Sequence, residues 1–359
     1  MLWNKTLNAY LLDIGLKRAK SDLCLYSHKS SIGILFLLIW VDDIIIMGSN
    51  SNIINHIKHK LKSRFQIKDH GELKFFLGVQ FKFTRNRVTI SQEHYVDTIL
   101  KRFNMQNCKK LPTPCVQNLY DELKAHANDP PLENPTLYRE LVGSLLYLQQ
   151  VSRPDISFIV NILSRFMSKP TKYTWELGKK VLRYLQGSRN FCLNYYKSED
   201  IQLQGMCDAD YARAMNRKSI SGYVYVLNEQ SSPISWSSKR QKLTSLSTCN
   251  SEFIALSAAV CECLWLQSLL DDINIPEIKY RPANLFSDSQ SACDLARKPC
   301  SHDSNKHIDV KMFHVRDHVE YKTVILDYIN TDDNFADIFT KPVTNPKMEK
   351  MFLRLQGLH

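Results

Sequence analysis

Four acidic residues in the second half of the chain stand at the ends of predicted secondary-structure elements. Asp208 and Asp288 each follow a predicted strand. Glu252 begins a predicted long helix, and Asp337 lies in a last helical segment. If the two strands are neighbours in one sheet, the four carboxylates can meet at one edge, where they repel one another unless cations lie between them. Mg²⁺ or Mn²⁺ suits such oxygen ligands, and two ions could promote hydrolysis of a phosphodiester.

Each acid also has a purely structural interpretation. Acidic residues are common at turns and helix N-termini, where they accept backbone hydrogen bonds and complement the helix dipole. For any one of the four residues taken alone, this interpretation is favoured. Only their combination indicates a nuclease.

The pattern of residues 201–342 predicts a mixed sheet. Three strand-like runs are followed by a long helix at Ser251–Leu270, after which strands and helices alternate. This order predicts five strands in one mixed sheet with flanking helices. The first predicted strand ends at Cys207, and the other four span Gly222–Leu227, Pro233–Ser237, Leu285–Ser287 and Val324–Ile329. Further helices are predicted at Gln290–Arg297, at Ile308–Tyr321 and from Asn334 onward.

The first 200 residues predict a hairpin followed mainly by helices. Two apolar β-runs between residues 32 and 47 meet at Asp42 and Asp43, which places two carboxylates at the bend of a buried hairpin. The proline-bearing stretch 108–135 is predicted as a linker. Predicted helices span Asn52–Phe65, Tyr95–Phe103, Leu137–Gln150, Asp155–Met167 and Thr174–Gln186, and short strands lie within Phe75–Phe83 and Arg87–Ile90.

The basic charge is confined to the first half. Residues 1–200 carry 29 basic and 17 acidic side chains, net +12, whereas residues 201–359 carry 18 and 19, net −1. This favours a polyanionic partner such as nucleic acid, although a basic, soluble surface is an equally good interpretation. The candidate nucleic-acid-binding residues, which solvent-exposed helix faces would also explain, are Lys58, Lys60, Lys62, Arg64, Arg85, Arg87, Lys179, Lys180 and Arg183.

The ten cysteines include no Cys-x-x-Cys pair, and the N-terminus has no secretory apolar region. We therefore expect an intracellular protein, cytoplasmic or nuclear and not secreted. Cys300, His302 and His307 match no standard zinc spacing. The longest apolar run, Ile32–Trp40, is too short to span a bilayer, so no membrane segment is expected.

Residues 201–342 resemble the ribonuclease H domain of copia-type LTR retrotransposons. The matching words, in order, are Cys207-Asp-Ala-Asp-Tyr-Ala, Arg217-Lys-Ser-Ile-Ser-Gly-Tyr-Val, Ile234-Ser-Trp-Ser-Ser-Lys-Arg-Gln, Ser251-Glu-Phe-Ile-Ala-Leu-Ser, Ser287-Asp-Ser-Gln-Ser-Ala, Lys306-His-Ile-Asp-Val and Ala336-Asp-Ile-Phe-Thr-Lys-Pro. The resemblance implies that Asp208, Glu252, Asp288 and Asp337 are the metal-binding, catalytic quartet of an enzyme that cuts the RNA strand of RNA/DNA hybrids.

Some assignments within this resemblance stay open. Asp309 is the alternative for the fourth carboxylate. Asp210 and His307 are either substrate or supporting contacts or ordinary surface residues. The first of two glutamates usual in this family is Asn250 here, while the second is Glu252.

The front half extends the resemblance to the copia-type reverse transcriptase. Trp40-Val-Asp-Asp-Ile-Ile-Ile resembles the Tyr-Val-Asp-Asp hairpin of the polymerase palm. Other matching words are Asp22-Leu-Cys-Leu-Tyr, Glu72-Leu-Lys-Phe-Phe-Leu-Gly, Ile90-Ser-Gln-Glu-His-Tyr, Tyr138-Arg-Glu-Leu-Val-Gly-Ser-Leu-Leu-Tyr-Leu and Arg153-Pro-Asp-Ile. Only 41 residues precede Asp42, so the upstream palm carboxylate and the fingers are expected to be missing. Asp42 and Asp43 are then a vestigial polymerase pair, without DNA synthesis.

Together these inferences predict an α/β protein. Its expected parts are a truncated polymerase palm and thumb at 1–110, a linker and helical connection at 111–200, an RNase H-like mixed five-stranded sheet with flanking helices at 201–342, and a tail at 343–359. The expected function is hydrolysis of the RNA strand of RNA/DNA hybrids with two Mg²⁺ or Mn²⁺ ions. The alternative is a non-catalytic, nucleic-acid-binding transposon remnant. The oligomeric state is left open.

Overall fold

The computed structural model describes residues 2–31, 33–213, 217–297 and 309–358. The chain forms two units, one made of Met1–Leu73 and Glu262–Ile278 and the other of Lys74–Cys261 and Lys279–His359. The four-part division expected from the sequence, with limits after residues 110, 200 and 342, stays a prediction.

The first unit contains an antiparallel four-stranded sheet. Its strands lie side by side in chain order: β1 (Lys17–Arg18), β2 (Leu25–Ser30), β3 (Gly33–Trp40) and β4 (Asp43–Gly48). The predicted hairpin is therefore confirmed, with Trp40 of β3 opposite Asp43 of β4. The turn between them is tight, because Val41 adopts a left-handed φ of 54°.

Two helices, α1 (Leu2–Asp13) and α2 (Ser51–Arg64), share a core with this sheet. Helix α2 was predicted and begins where the Asn50 side chain accepts a hydrogen bond from the backbone N–H of Ile53. The buried residues of α2 recur every fourth position, as expected of an amphipathic helix. They are Ile53, Ile57 and Leu61.

The second unit begins with a smaller antiparallel sheet. Strands β5 (Phe75–Phe76), β6 (Val79–Phe83) and β7 (Arg87–Ser91) are close in sequence, and β8 (Cys192–Tyr196) pairs with β7 from a distant part of the chain. The intervening helices bury a large apolar cluster. They are α3 (Glu93–Arg102), α4 (Leu119–Ala125), α5 (Pro135–Val151), α6 (Ser157–Ser164) and α7 (Lys172–Gly187), of which α4 lies inside the predicted linker.

The predicted mixed five-stranded sheet is confirmed. Its strands are β9 (Ile201–Asp210), β10 (Ile220–Val226), β11 (Ser235–Arg240), β12 (Ile278–Ser287) and β13 (Val324–Tyr328). The spatial order is β11-β10-β9-β12-β13. Strands β9, β10 and β11 are antiparallel, whereas β12 and β13 are parallel. This order places β9 and β12 next to each other, which is the condition that the carboxylate prediction required.

Helical segments accompany the sheet. They are α8 (Thr248–Ile273), α9 (Gln290–Arg297), α10 (Asp309–Glu320), a 3₁₀ turn at Phe335–Phe339 and α11 (Asn345–Leu355). Residues 343–359 were predicted as a tail, yet α11 buries Met348, Met351 and Leu355. Helix α8 is apolar and long enough to cross a membrane by length and composition, but 61% of its most apolar window is buried within the protein. It has the character of a core helix.

The helical part of the second unit contains a buried ion pair. The Arg153 guanidinium forms a 2.6 Å ion pair with Asp155, and both side chains are almost fully buried. Arg153 also donates to the Ser188 carbonyl at 3.1 Å, and the Tyr184 hydroxyl donates to Asp155 at 2.7 Å. The centroid of the Phe191 ring lies 4.8 Å from the guanidinium carbon of Arg153. Every charge in this network therefore has partners, which a buried ion pair requires.

Replacing Asp155 with alanine leaves the Arg153 charge buried without its counterion. We expect Asp155→Ala to lower the free energy of unfolding by about 3–5 kcal/mol. The exposed pair between Lys279 and Asp200 provides the control, and Asp200→Ala should cost less than about 1 kcal/mol. Urea unfolding of both variants measures the difference, and equal losses would show that burial does not govern the contribution of Asp155.

Candidate metal centre

Three of the four predicted carboxylates meet at one edge of the mixed sheet. Asp208 lies near the end of β9, Asp288 directly follows β12, and Asp337 lies in the 3₁₀ turn. One carboxylate oxygen from each lies within 4.8 Å of the others. Among the described residues, this is the one group of three or more His, Cys, Asp or Glu side chains close enough to share an ion.

Two residues bring the 3₁₀ turn against the sheet. Gly222 of β10 is in register with Asp208, and a side chain at this glycine would lie only 2.8 Å from Phe339 and Thr340. Asn334 anchors the start of the turn, because its side-chain N–H donates to the Cys207 carbonyl at 3.0 Å. The same side chain accepts a hydrogen bond from the Ala336 backbone at 3.1 Å. A glycine and a buried amide thus position Asp337 beside Asp208.

Glu252, the fourth predicted carboxylate, lies on helix α8 and is not part of the group of three. It is 7% exposed, its carboxylate accepts a hydrogen bond from the backbone N–H of Ala209, and the charges of Asp208 and Asp288 act on it. Within the described part of the chain, the buried Glu252 Oε2 has no hydrogen-bond donor. A buried acceptor without a donor is costly, and a cation would satisfy it.

Burial and mutual repulsion alter the ionisation of these acids. Burial, followed by repulsion from Asp208 and Asp288, raises the pKa of Glu252 to about 9. Burial also raises the pKa of Asp208 to about 7, although Lys341 opposes the shift. Both changes follow from placing several negative charges in one desolvated region.

Lysines contribute to the centre, and the sequence pattern did not predict their role. The Lys341 ammonium lies 2.7 Å from Asp337 Oδ1 and 4.0 Å from Asp208 Oδ2. Lys347, from the first turn of α11, forms an ion pair with the other oxygen of Asp337. The Thr340 hydroxyl donates to Asp208. The four-residue spacing of Asp337 and Lys341 is a signal that could have indicated the first pair, whereas nothing in the sequence indicates the second.

The residues present fit a divalent metal ion. Carboxylate oxygens are the ligands that Mg²⁺ and Mn²⁺ prefer, and three carboxylates lie within reach of one ion. The Glu252 oxygen that lacks a donor is a fourth acceptor in the same region. The same set offers no soft sulfur or imidazole ligand, which makes zinc a poor fit.

The remaining acidic candidates have different positions. Asp337 is one of the three clustered carboxylates, whereas Asp309 is the first residue of α10 and its side chain is outside the described part of the structure. The choice between these two residues as the fourth metal ligand stays a prediction. Asp210 is buried on β9, with the Arg213 guanidinium 3.6 Å away. Asn250, at the place of a family glutamate, is buried near the start of α8. Cys300, His302 and His307 lie outside the described residues.

Asp42 and Asp43 lie at the exposed turn of the β3–β4 hairpin. The Trp3 indole N–H donates to the Val41 carbonyl at 3.0 Å and attaches α1 to this turn. Among the described residues, no third acidic, His or Cys side chain joins the two aspartates in a metal-binding group. Their role as a vestigial pair stays a prediction.

Several of the candidate nucleic-acid-binding residues contact other parts of the protein. Lys58 and Lys62 of α2 both pair with Asp69, at 3.1 and 3.2 Å. Lys179 of α7 pairs with Glu176 at 2.7 Å, and Arg183 donates to the Lys109 carbonyl. Arg87 lies over the Tyr196 ring. The other candidates are the exposed Arg64 and Arg85 and the half-buried Lys60 and Lys180.

The raised pKa of Glu252 predicts a pH-dependent stability. Between its ordinary pKa of 4.5 and its folded value of about 9, the unfolded chain releases a proton that the folded, ion-free protein retains. Stability therefore falls as the pH rises through this range. Glu252→Gln should remove this loss, so it should stabilise the ion-free protein by about 3 kcal/mol more at pH 8 than at pH 6.

Urea unfolding in EDTA at both pH values measures this effect. Glu349→Gln, on the exposed side of α11, is the control and should change the stability equally little at pH 6 and pH 8. If Glu252→Gln changes the free energy of unfolding equally at both pH values, the raised pKa of the Glu252 carboxyl group is contradicted.

Comparison with known proteins agrees with these observations. Residues 1–117 match the family described as reverse transcriptase (RNA-dependent DNA polymerase). The chain is 34% identical to the retrovirus-related Pol polyprotein from transposon TNT 1-94 of Nicotiana tabacum, over 99% of this chain and 27% of that protein. It is 30% identical to a putative transposon Ty5-1 protein of Saccharomyces cerevisiae, over 73% of this chain and 84% of that protein.

The chain spans about a quarter of the length of the first two curated relatives, 27% and 23%. Among solved structures, a foamy viral protease-reverse transcriptase in complex with an RNA/DNA hybrid is similar over 96% of this chain and 39% of that chain, with 14% identity and a TM-score of 0.47. A likeness this distant carries no functional argument. Sequence identity over nearly the whole chain is sufficient by itself, and the chain belongs to the family of copia-type retrotransposon Pol polyproteins.

Proposed function

We propose that this chain is a metal-dependent endonuclease that hydrolyses the RNA strand of RNA/DNA hybrids. The observation that carries the proposal is the convergence of Asp208, Asp288 and Asp337 at one sheet edge, near enough to Glu252 for Asp208 and Asp288 to raise the pKa of its carboxyl group. A purely structural role explains this convergence poorly, because helix caps and turns do not require mutually repelling acids to share one buried region.

The side chains have separate tasks in this proposal. Two divalent ions, when bound, would activate a water molecule and stabilise the leaving oxygen of the phosphodiester. Asp208 and Asp337 are buried and would hold ions in a fixed geometry. Asp288 is partly exposed and marks the side from which a backbone phosphate can approach. Thr340 restrains the Asp208 carboxylate through its hydrogen bond.

The proposed substrate follows from the family. An RNA-dependent DNA polymerase, the activity described for the family that residues 1–117 match, produces an RNA/DNA hybrid. A nuclease within the same Pol polyprotein family is suited to removing the RNA strand. The protein would recognise such a duplex by its backbone and 2′-hydroxyl groups, so cleavage should tolerate many base sequences. An intracellular location, expected from the cysteine pattern, also stays a prediction.

Substitution of one ligand tests the proposal. Asp208→Asn keeps the shape of the side chain but removes a charged ligand, and we expect the cleavage rate of a labelled hybrid in Mg²⁺ to fall at least about a thousandfold. Asp327→Asn is the matched control, since this aspartate lies on β13 of the same sheet and is exposed beside Arg297. Equal RNA degradation by wild type and Asp208→Asn would refute the site assignment.

One observation favours a second function, nucleic-acid binding without catalysis. Both oxygens of Asp337 are already neutralised by lysines, which weakens the attraction of the site for ions. A Mg²⁺ titration with the hybrid separates the two functions. A pure binder shows salt-sensitive affinity and no cleavage at any metal concentration, whereas the nuclease shows metal-dependent cleavage.

We also expect this chain by itself to extend no primer. Asp42 and Asp43 have no third described carboxylate beside them, and two-metal phosphoryl transfer requires ligands that fix both ions. Primer extension, run beside hybrid cleavage on one preparation, measures both activities. DNA synthesis that disappears in Asp42→Asn would show that the hairpin pair is functional and not vestigial.

A further inference from the structure

We propose that Lys341 is a built-in cation that holds the place of one of the two divalent ions until that ion displaces it. The proposal rests on the two-ion nuclease site proposed above. It adds that the ions bind in sequence and with unequal affinity, and that the more weakly bound ion must displace the Lys341 ammonium.

The position of Lys341 supports this role. Its ammonium is 2.7 Å from Asp337 Oδ1 and 4.0 Å from Asp208 Oδ2, so it lies between two of the three clustered carboxylates. These acids are nearly inaccessible to solvent, and water therefore screens their attraction to the ammonium weakly.

The local backbone fixes the position of the Lys341 Cα atom but not that of its ammonium group. The Lys341 backbone N–H donates to the Asp337 carbonyl at 3.2 Å, and the following Pro342 restricts the backbone dihedral angles of Lys341. The side chain beyond is four flexible carbons long and is 29% exposed. The ammonium can therefore leave for solvent without any change in the turn.

Lys347 makes the two sides of the centre unequal. It holds the second oxygen of Asp337 and also contacts the Thr331 carbonyl at 3.4 Å. Two lysines thus oppose a cation on the Asp337 side. Asp208 and Asp288 have no second lysine, and the nearby Glu252 has a buried Oε2 without a hydrogen-bond donor within the described residues. The first ion is therefore expected at Asp208 and Asp288, and the second would have to displace Lys341 from Asp337.

Binding of Mn²⁺ to the full chain tests this inference without any measurement of activity. Calorimetric titration of the EDTA-treated wild type should show two steps, with the second at least about tenfold weaker. In Lys341→Met the second step should become at least about tenfold tighter, while the first changes less than about threefold. Lys350→Met is the matched control, because Lys350 lies on α11 and pairs with Asp333. This substitution should leave both binding steps unchanged.

Several results would overturn the inference. They are two equal steps in the wild type, no tighter second step in Lys341→Met, or an equal shift of both steps. Thermal unfolding provides a second readout: ion-free Lys341→Met should have a lower Tm than wild type, and Mn²⁺ should restore it. If the methionine variant does not fold, Lys341→Gln replaces it, and the wild-type titration still decides between equal and unequal steps.

The outcome is separable from that of the proposed function. If unequal, Lys341-dependent binding is found without hybrid cleavage, the nuclease proposal fails and the inference about Lys341 stands. If Asp208-dependent cleavage occurs with two equal binding steps, only the inference about Lys341 fails.

Discussion

Repulsion among buried carboxylates is the constraint on which the mixed-sheet part of this protein depends. Asp208 and Glu252 are both removed from water and close to Asp288, and their raised pKa values show that the negative charge is poorly solvated. A folded protein retains such an arrangement only where cations or protons balance it. The lysines at Asp337 supply part of this balance, and a bound cation or a proton on Glu252 would supply the remainder.

The neighbouring structure serves the same constraint. Gly222 allows the 3₁₀ turn to approach β10, and Asn334 connects that turn to β9 by a buried hydrogen bond. Neither residue carries charge, yet without them Asp337 would not lie beside Asp208. A metal centre of this kind therefore depends on uncharged positions as much as on its ligands.

The reverse transcriptase-like part contrasts with this centre. The β3–β4 hairpin has a well-formed core face, and its isoleucines and leucines pack with α2. Asp42 and Asp43 at its turn are exposed. Aspartate side chains are therefore solvated in this part of the chain, whereas Asp208 and Asp337 are buried. The difference between the two places lies in what surrounds each carboxylate.

The sequence alone determined the periodic features. Two continuous apolar runs meeting at Asp42 and Asp43 predicted the β3–β4 hairpin, helical spacing predicted α2, α5 and α7, and the order of strands and helices predicted the mixed sheet. These predictions succeeded because hydrophobic periodicity is a local property of the chain. The short helix α4 and the strand β8 were missed, because a proline-rich segment and a short run give weak local signals.

The tertiary structure decided which charges meet. Asp208 and Asp337 are 129 positions apart in the sequence, and only the register of β9 with β10 and the approach of the 3₁₀ turn bring them together. The pairing of Lys347 with Asp337, and of Lys58 with Asp69, likewise depends on how α11 and α2 lie against their neighbours. A sequence specifies which residues can carry charge, whereas the electrostatic energy of each charge depends on distances and burial that exist only in the folded chain.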